Sequence, residues 1–261
     1  MQDAGRVTVL MYHRIGDAQD DWEKRYCISP ERFTSHMLAL ERRGMRPCSI
    51  EDFVAWLDGR SALQQGSFLL TFDDGFLGVY KHAFPLLAKK GWSATVFLVS
   101  RLIGKKDLWT RHGGSGGRNH PLLGRNEIFE MARAGFSFHS HSRSHPDLRT
   151  LCGDALSQEL AGARQDLEDL LGRPVTCLAY PYGWYNERVL EAARACGYAA
   201  GFSTQPGFNR RDVDRYRIRR LDVYGTDTAS ALMRKVGFGT NDGSWRQVVR
   251  YYAVRAAVRG R

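Results

Sequence analysis

The sequence predicts an α/β protein whose parallel strands form a barrel in a single domain. Short apolar, β-rich segments alternate with amphipathic segments of about 10 to 15 residues, which is the pattern of βα units. Five or six such units in one chain favour a barrel over an open sheet, and 261 residues is a usual length for a one-domain α/β barrel. No linker divides the chain.

The elements can be assigned in order from composition and capping residues. Strand candidates are the apolar runs Arg6–Tyr12, Ser67–Phe72, Trp92–Ser100, Phe136–His141, Val175–Tyr180 and Tyr198–Ser203. The first helix begins at a Ser29 cap with Pro30 in its first turn. The other helix candidates are Tyr80–Lys90, Asn126–Ala134, Ala155–Leu171 and Glu187–Cys196.

Composition excludes several classes of protein. With 43% hydrophobic and 25% charged residues, the chain is an ordinary globular one and is neither disordered, collagen-like nor a coiled coil. No apolar run approaches the 18 residues of a membrane-spanning helix. The polar start is unlike a secretory leader, so we expect a cytoplasmic protein or one peripheral at the inner membrane, or an exported one whose signal precedes Met1. Five scattered cysteines argue against a disulfide scaffold.

Positive charge is concentrated toward the end of the chain. The net charge is +10, and residues 201–261 contain thirteen Arg or Lys against five Asp. We divide the chain into a barrel, 1–244, and a basic amphipathic helix, 245–261, in which arginines alternate with apolar residues. That helix either docks on an anionic membrane surface or a glycan-synthesis partner, or packs on the barrel. No nucleic-acid module is present, so no nucleic-acid partner is expected.

Adjacent carboxylates end the second strand candidate. Asp73 and Asp74 follow Phe72 directly, and in a parallel barrel the carboxyl ends of the strands carry the chemistry. Neighbouring side chains there point in different directions, so one carboxylate can bind a cation while the other stays free as a base. The alternative is an Asp-Gly turn or a helix cap.

Histidines end the fourth strand candidate. His141 and His145, with a carboxylate from another strand, would make a two-His, one-carboxylate set that leaves coordination positions open for substrate. The alternative is a polar loop. His139 shares the side of His141 by strand alternation, and is either a partner or alternative ligand of the site or an interior histidine with hydrogen bonds of its own.

Two glycine-containing segments can also contribute to a site. In Ala179–Gly183 a proline and a glycine can expose a backbone N–H to an oxyanion, the alternative being an aromatic turn. The glycine patch at residues 112–120 lacks the residues of a phosphate loop. It is interpreted as a flexible loop, or as a lid whose His112, Arg118 or His120 touches substrate.

In this order, the three motifs resemble the polysaccharide deacetylase family with the NodB homology domain (carbohydrate esterase family 4). Thr71–Gly75 is similar to its TFDDG motif, His141–His145 to its H[ST]xxH motif, and Ala179–Gly183 to a variant in the poly-N-acetylglucosamine deacetylase-like branch. Leu10–His13 and Arg217–Val223 also resemble that branch. The resemblance spans about residues 7–225; it is specific for the family and not for the substrate.

The resemblance implies a distorted (β/α) barrel of seven or eight strands and a metal-dependent hydrolase. Its substrates would be N-acetylated amino sugars of a polysaccharide or glycan precursor. Asp74, His141 and His145 would hold a divalent metal, usually zinc, with cobalt, nickel or manganese as alternatives. Asp73 would be the general base acting on a metal-activated water. The metal and the backbone N–H of Tyr182 would receive the developing oxyanion.

The sequence departs from the common family pattern at two positions. No histidine follows His145, so the usual C-terminal general acid is absent. His13 matches the N-terminal histidine that acts as acid in the branch with rearranged motifs. Ala179 stands where many members carry an arginine that orients the base, and Arg220, with Arg217 second, is the expected substitute. The rival functions are an inactive glycan-binding barrel and a hydrolase of another small amide or ester.

Overall fold

A computed structural model describes residues 4–109, 119–246 and 249. The helices of this part are α1 (Pro30–Arg42), α2 (Ile50–Leu57), α3 (Phe84–Lys89), α4 (Arg125–Arg133), α5 (Gly153–Leu171), α6 (Glu187–Ala195) and α7 (Ala229–Phe238). The strands are β1 (Thr8–Tyr12), β2 (Arg14–Ile15), β3 (Cys27–Ile28), β4 (Arg46–Cys48), β5 (Ser67–Phe72), β6 (Thr95–Leu98), β7 (Ser137–Ser140), β8 (Cys177–Ala179), β9 (Ala200–Phe202) and β10 (Leu221–Asp222).

Eight of these strands form one curled parallel sheet. Its order is β10-β1-β5-β6-β7-β8-β9, with β4 also paired to β5, while β2 and β3 pair with each other. The segment 218–222 contacts both edges of the sheet, because Ile218 pairs with Phe202 and Leu221 with Leu10. The predicted single-domain, barrel-like fold of parallel strands is confirmed.

The curled sheet separates two groups of core residues. Alternation along β5 places Leu70 and Phe72 in the outer cluster, which the surrounding helices cover, and Leu69 in the inner one. Helix α2 contributes Phe53 and Trp56 to the inner cluster. The Glu51 side chain at the start of α2 accepts a hydrogen bond from Ser137, the first residue of β7. Helix α2 therefore covers the amino ends of the strands and leaves their carboxyl ends open.

The predicted elements appear with shorter bounds and one change of type. Ser29 caps α1 as expected, because its Oγ accepts from the Arg32 N–H at 3.3 Å. The predicted Tyr80–Lys90 helix instead begins with a π-helical turn, Val79–Ala83, before α3. Pro85 has no N–H to continue the α-helical ladder there. Sequence patterns missed the short elements α2, β4, β10 and α7.

Two predictions fall largely outside the described residues. The basic helix at 245–261 is represented only by Trp245, Arg246 and Val249, and the glycine patch only by Asn119 and His120. Across the residues that are described, no helix combines the length and apolar character needed to cross a membrane.

Candidate active site

A cavity of about 760 Å³ opens at the carboxyl ends of the strands. Residues from β1, β5, β7, β8 and β10, or from the loops directly after them, line it. The lining includes His13, Asp73, Asp74, His141, His145, Tyr182 and Asp222. Chain segments that are far apart in sequence therefore meet at one opening, as the strand-end rule for parallel sheets predicts.

Three metal-ligand side chains converge on the cavity floor. Asp74 Oδ1 lies 3.4 Å from His141 Nε2 and 3.3 Å from His145 Nε2, and all three residues are buried. Within the described part of the chain, Asp74 Oδ1 has no hydrogen-bond partner. Bonds of about 2.0–2.1 Å in a tetrahedral zinc site put neighbouring ligand atoms about 3.3 Å apart. The spacing of these donors therefore fits a small divalent cation.

Local backbone geometry aims these ligands at one another. His141 donates from Nδ1 to the Ala179 carbonyl of β8 at 2.8 Å, which directs its Nε2 toward Asp74. Ser142 Oγ accepts from the His145 N–H and closes the turn between the histidines. Asp74, Ser142 and His145 all have positive φ angles, 72°, 64° and 66°. Such strain in non-glycine residues concentrates at functional sites.

Asp73 is held by an arginine, and its Oδ2 also lies 4.0 Å from His141 Nε2. Arg220 donates from Nη1 and Nη2 to the two Asp73 oxygens at 2.7 and 2.8 Å, and from Nε to the Ser203 carbonyl. Burial alone would raise the pKa of Asp73, but the Arg220 charge, followed by that of His141, holds this pKa below its ordinary value. Asp73 is therefore ionised and fixed in orientation beside the ligand cluster.

Charge also sets the protonation of the ligands. Burial opposes ionisation of Asp74, yet its interactions with His141 and His145 place its pKa well below the ordinary range. Burial lowers the pKa of His145, and Asp74 only partly offsets this effect. Burial alone would lower the pKa of His141, but the charges of Asp73 and Asp74 raise it. Asp74 and His145 are thus in the ionised and neutral forms that bind a metal, and a cation bound at this cluster would displace a proton from His141.

The third motif forms a tight turn over the ligands. Its hydrogen bonds run from the Gly183 N–H to the Tyr180 carbonyl and from the Trp184 N–H to the Pro181 carbonyl, and neither uses the N–H of Tyr182. Tyr182 itself has φ 60°, and its ring lies 4.6 Å from that of His145. The turn therefore brings the Tyr182 ring against His145.

His13 reaches the same cavity from the end of β1. Its ring packs against Tyr26 with centroids 5.0 Å apart. Burial raises the pKa of Asp222, and the charge of His13 partly counters this effect, so the two groups interact electrostatically. Tyr224 and Asn241 donate to Asp222 Oδ2 at 3.1 and 3.0 Å and hold that carboxylate in place. Asp222 was not among the residues predicted from sequence, although its place in the strand after Arg220 brings it to the same opening.

The other candidate residues have different surroundings. Arg217 pairs at the surface with Glu187 and Asp214, so it is not the arginine that holds Asp73. His139 lacks the hydrogen bonds expected of an interior histidine, since neither ring nitrogen has a partner within the described residues. Burial lowers the pKa of His139 to about 3, which keeps it neutral. His120 lines the cavity and contacts Glu23 at 2.9 Å, while His112 and Arg118 lie outside the described residues.

Comparisons with known proteins match this site to a family. The family model described as polysaccharide deacetylase matches residues 60–201, more than half of the chain. The chain belongs to the polysaccharide deacetylase family. The matched region of this polysaccharide deacetylase contains Asp73, Asp74, His141, His145 and Tyr182. His13 and Arg220 lie outside it, so their roles depend on the geometry of this chain.

Individual relatives and solved structures agree with the assignment to the polysaccharide deacetylases. The chain is 29% identical over 227 residues to YxkH of Bacillus subtilis, whose name describes a polysaccharide deacetylase; 87% of this chain and 75% of the relative are covered. It is 26% identical over 224 residues to the poly-β-1,6-N-acetyl-D-glucosamine N-deacetylase of Staphylococcus epidermidis. That alignment covers 81% of this chain and 73% of the relative. The structure of IcaB from Ammonifex degensii aligns with TM-score 0.72 at 26% identity. The alignment covers 85% of this chain and 93% of the IcaB chain.

A further solved structure shows the same fold at lower identity. The Streptococcus pyogenes deacetylase PplD, solved in complex with acetate, aligns with TM-score 0.76 at 24% identity. The alignment covers 88% of this chain and 97% of PplD. The barrel-like architecture is therefore shared along nearly the whole of that protein.

Proposed function

We propose that the chain is a divalent-metal-dependent hydrolase that removes N-acetyl groups from amino sugars of a polysaccharide or glycan precursor. The observation that carries this proposal is the Asp74–His141–His145 cluster beside an ionised Asp73 at the floor of one cavity. The poly-β-1,6-N-acetyl-D-glucosamine deacetylases among the relatives support the substrate class.

Asp74, His141 and His145 would hold the metal; two imidazoles and one carboxylate are a usual ligand set of catalytic zinc, with cobalt, nickel and manganese as alternatives. A bound divalent metal supplies a Lewis acid that polarises a carbonyl group and acidifies water. The cluster leaves room for this chemistry, since three protein ligands do not complete a tetrahedral set.

Asp73 would accept the proton of the attacking water. Arg220 suits this role because it keeps Asp73 ionised and grips both of its oxygens, which directs the carboxylate. The Tyr182 N–H would donate to the oxyanion that develops on the acetamide carbonyl. The strained turn around Tyr182 holds this donor in place before substrate arrives.

His13 would protonate the departing nitrogen. An amine leaves an amide poorly unless an acid supplies a proton. His13 follows β1, away from the strand that carries the histidine ligands, and it lies against Tyr26 and interacts electrostatically with Asp222. Asp73 as base and His13, after the neighbouring strand β1, as acid would together supply the two proton transfers that amide hydrolysis requires.

Asp73→Asn tests the proposal, because it removes the base and leaves the three ligands intact. We expect the purified variant to keep its divalent metal, measured by elemental analysis, while acetate release from poly-β-1,6-N-acetylglucosamine falls by about 10²–10⁴-fold. Asp212→Asn is the matched control, since Asp212 is an exposed carboxylate that does not line the cavity. An unchanged rate in Asp73→Asn would contradict the assignment of the base.

The same assay addresses the rival functions. A wild-type protein that binds the glycan but releases no acetate would be a binding barrel. Faster turnover of simple aryl acetates than of any N-acetylated glycan would identify a hydrolase of another ester. Either result would contradict the proposed function.

A further inference from the structure

Exposed aromatic side chains are concentrated at the cavity. Among the described residues, five tryptophan and tyrosine side chains expose more than a third of their surface to solvent: Trp22 (41%), Tyr26 (37%), Tyr182 (44%), Trp184 (46%) and Trp245 (68%). All but Trp245 line the cavity. Scattered exposed aromatic residues need no explanation, but a group of them around one opening indicates a binding surface.

These four residues form two pairs, one against His13 and the other against His145. In each pair a tyrosine lies inside and a tryptophan outside. Tyr26 contacts His13 with ring centroids 5.0 Å apart, and Trp22 lies 6.4 Å from Tyr26. In the second pair the rings of Tyr182 and His145 are 4.6 Å apart, and the Trp184 ring lies 4.9 Å from that of Tyr182.

Neighbouring charged groups hold both pairs in position. Arg149 stacks over Trp184 at 4.3 Å and is itself fixed by two hydrogen bonds to Asp147. Glu23, between Trp22 and Tyr26 in sequence, is paired with Arg14 at 2.6 Å and with His120 at 2.9 Å. Surfaces that are already ordered lose less entropy when a ligand binds.

We propose that Trp22–Tyr26 and Tyr182–Trp184 are two aromatic walls that stack on the sugar units flanking the one that reacts. A pyranose ring presents C–H groups on its face and hydroxyl groups at its edge, and a flat aromatic ring matches that apolar face. The cavity of about 760 Å³ is larger than one amino sugar requires. The substrate is therefore an oligomer or an internal stretch of a glycan; this inference rests on the proposed function.

The test is the dependence of turnover on chain length. The probes are oligomers of one to five N-acetylglucosamine units in the β-1,6 and β-1,4 series, with the result judged on the linkage that the wild type prefers. We expect kcat/KM of the wild type to rise with length. In Trp22→Ala and Trp184→Ala the loss on the longest oligomer should exceed the loss on the monosaccharide about 5- to 10-fold, mainly through KM, as for one aromatic contact.

Trp245→Ala is the matched control, because Trp245 is exposed and lies outside the cavity lining. It should follow the wild type at every length. Thermal melts establish that each variant is folded. Chain-length dependence that is the same in wild type, Trp22→Ala and Trp184→Ala would overturn the proposal.

Calorimetric titration of the same oligomers separates this proposal from the proposed function. One outcome is that the wild type releases no acetate but binds long oligomers, which both tryptophan variants bind more weakly. That result would support the aromatic walls and contradict the deacetylase assignment. If acetate is released and both tryptophan variants bind and turn over oligomers as the wild type does, the result supports the deacetylase assignment and contradicts the aromatic walls.

Discussion

Arg220 shows how one residue can replace a missing part of a motif. Ala179 lacks the side chain that would orient the base from β8, and Arg220 supplies a guanidinium from the segment between β9 and β10 instead. The pair is fully buried, so its energy is not reduced by solvent screening. Removing the arginine would leave Asp73 charged and unpaired, which costs about 3–5 kcal/mol at buried sites.

Replacing Arg220 should shift the pH dependence of the reaction. As the proposed base, Asp73 works only when ionised, so kcat/KM should fall as pH drops through the pKa of Asp73. Arg220→Met removes the charge that opposes burial, the pKa rises, and the acid limb of the pH–rate profile should move to higher pH. Arg220→Lys keeps the charge without the two-point grip and should shift the limb less. Identical acid limbs in wild type and Arg220→Met would refute the role.

His13 can be tested by choice of leaving group. His13→Ala should keep its fold and metal but lose about 10²–10⁴-fold in kcat/KM on an N-acetylated oligosaccharide. The leaving group of an activated aryl acetate departs without protonation. On that substrate the variant should therefore lose much less kcat/KM. His82→Ala is the control, since His82 is an exposed histidine that does not line the active-site cavity. Equal losses on both substrates would make His13 a binding or structural residue.

Strand ends are the elements that bring the site together, and they explain what the sequence could predict. Asp73–Asp74 and His141 directly follow buried strands, so alternation and the parallel fold place them at one edge. Local sequence patterns could not predict the pairing of Arg220 with Asp73, because 147 residues separate the two. Only the family resemblance suggested it. Helix α2 was missed because eight residues carry little periodicity, and β10 because two residues carry none.

A contact between two elements sets the position of the loop after β5. Gly78 lies against β2, and a Cβ at this position would overlap the Ile15 carbonyl oxygen. Backbone cannot give way as a side chain can. We expect Gly78→Ala to lower the free energy of unfolding by about 1–3 kcal/mol in denaturant titrations. Gly237→Ala in α7 meets no atom within 4 Å and should be neutral or stabilising by up to about 1 kcal/mol. Equal stability of the two variants would contradict this packing.

At the scale of the whole molecule, we expect the fold to form independently of a cation at the proposed metal site. Two large core clusters, one inside the curled sheet and one outside, are formed by apolar residues alone. A protein of 261 residues buries about three quarters of its unfolded surface, so no metal is needed for folding. The floor of the cavity, in contrast, combines buried charges with strained residues such as Asp74 and His145. A bound cation should therefore stabilise a chain that is already folded.

Zinc should raise the melting temperature of the metal-free protein without being required for its fold. A ligand that binds only the native state stabilises it by about 2.7 kcal/mol at one hundred times its Kd. For a chain of this size that corresponds to roughly 5–10 °C. Asp74→Ala should abolish the zinc-dependent increment, because it removes one of three ligands, whereas Asp73→Asn should retain it. Scanning calorimetry with and without a chelator measures both. A metal-free protein that is unfolded at 25 °C would contradict the expectation that the fold forms without metal. A zinc-dependent rise in melting temperature that persists in Asp74→Ala would contradict the assignment of Asp74 as a ligand.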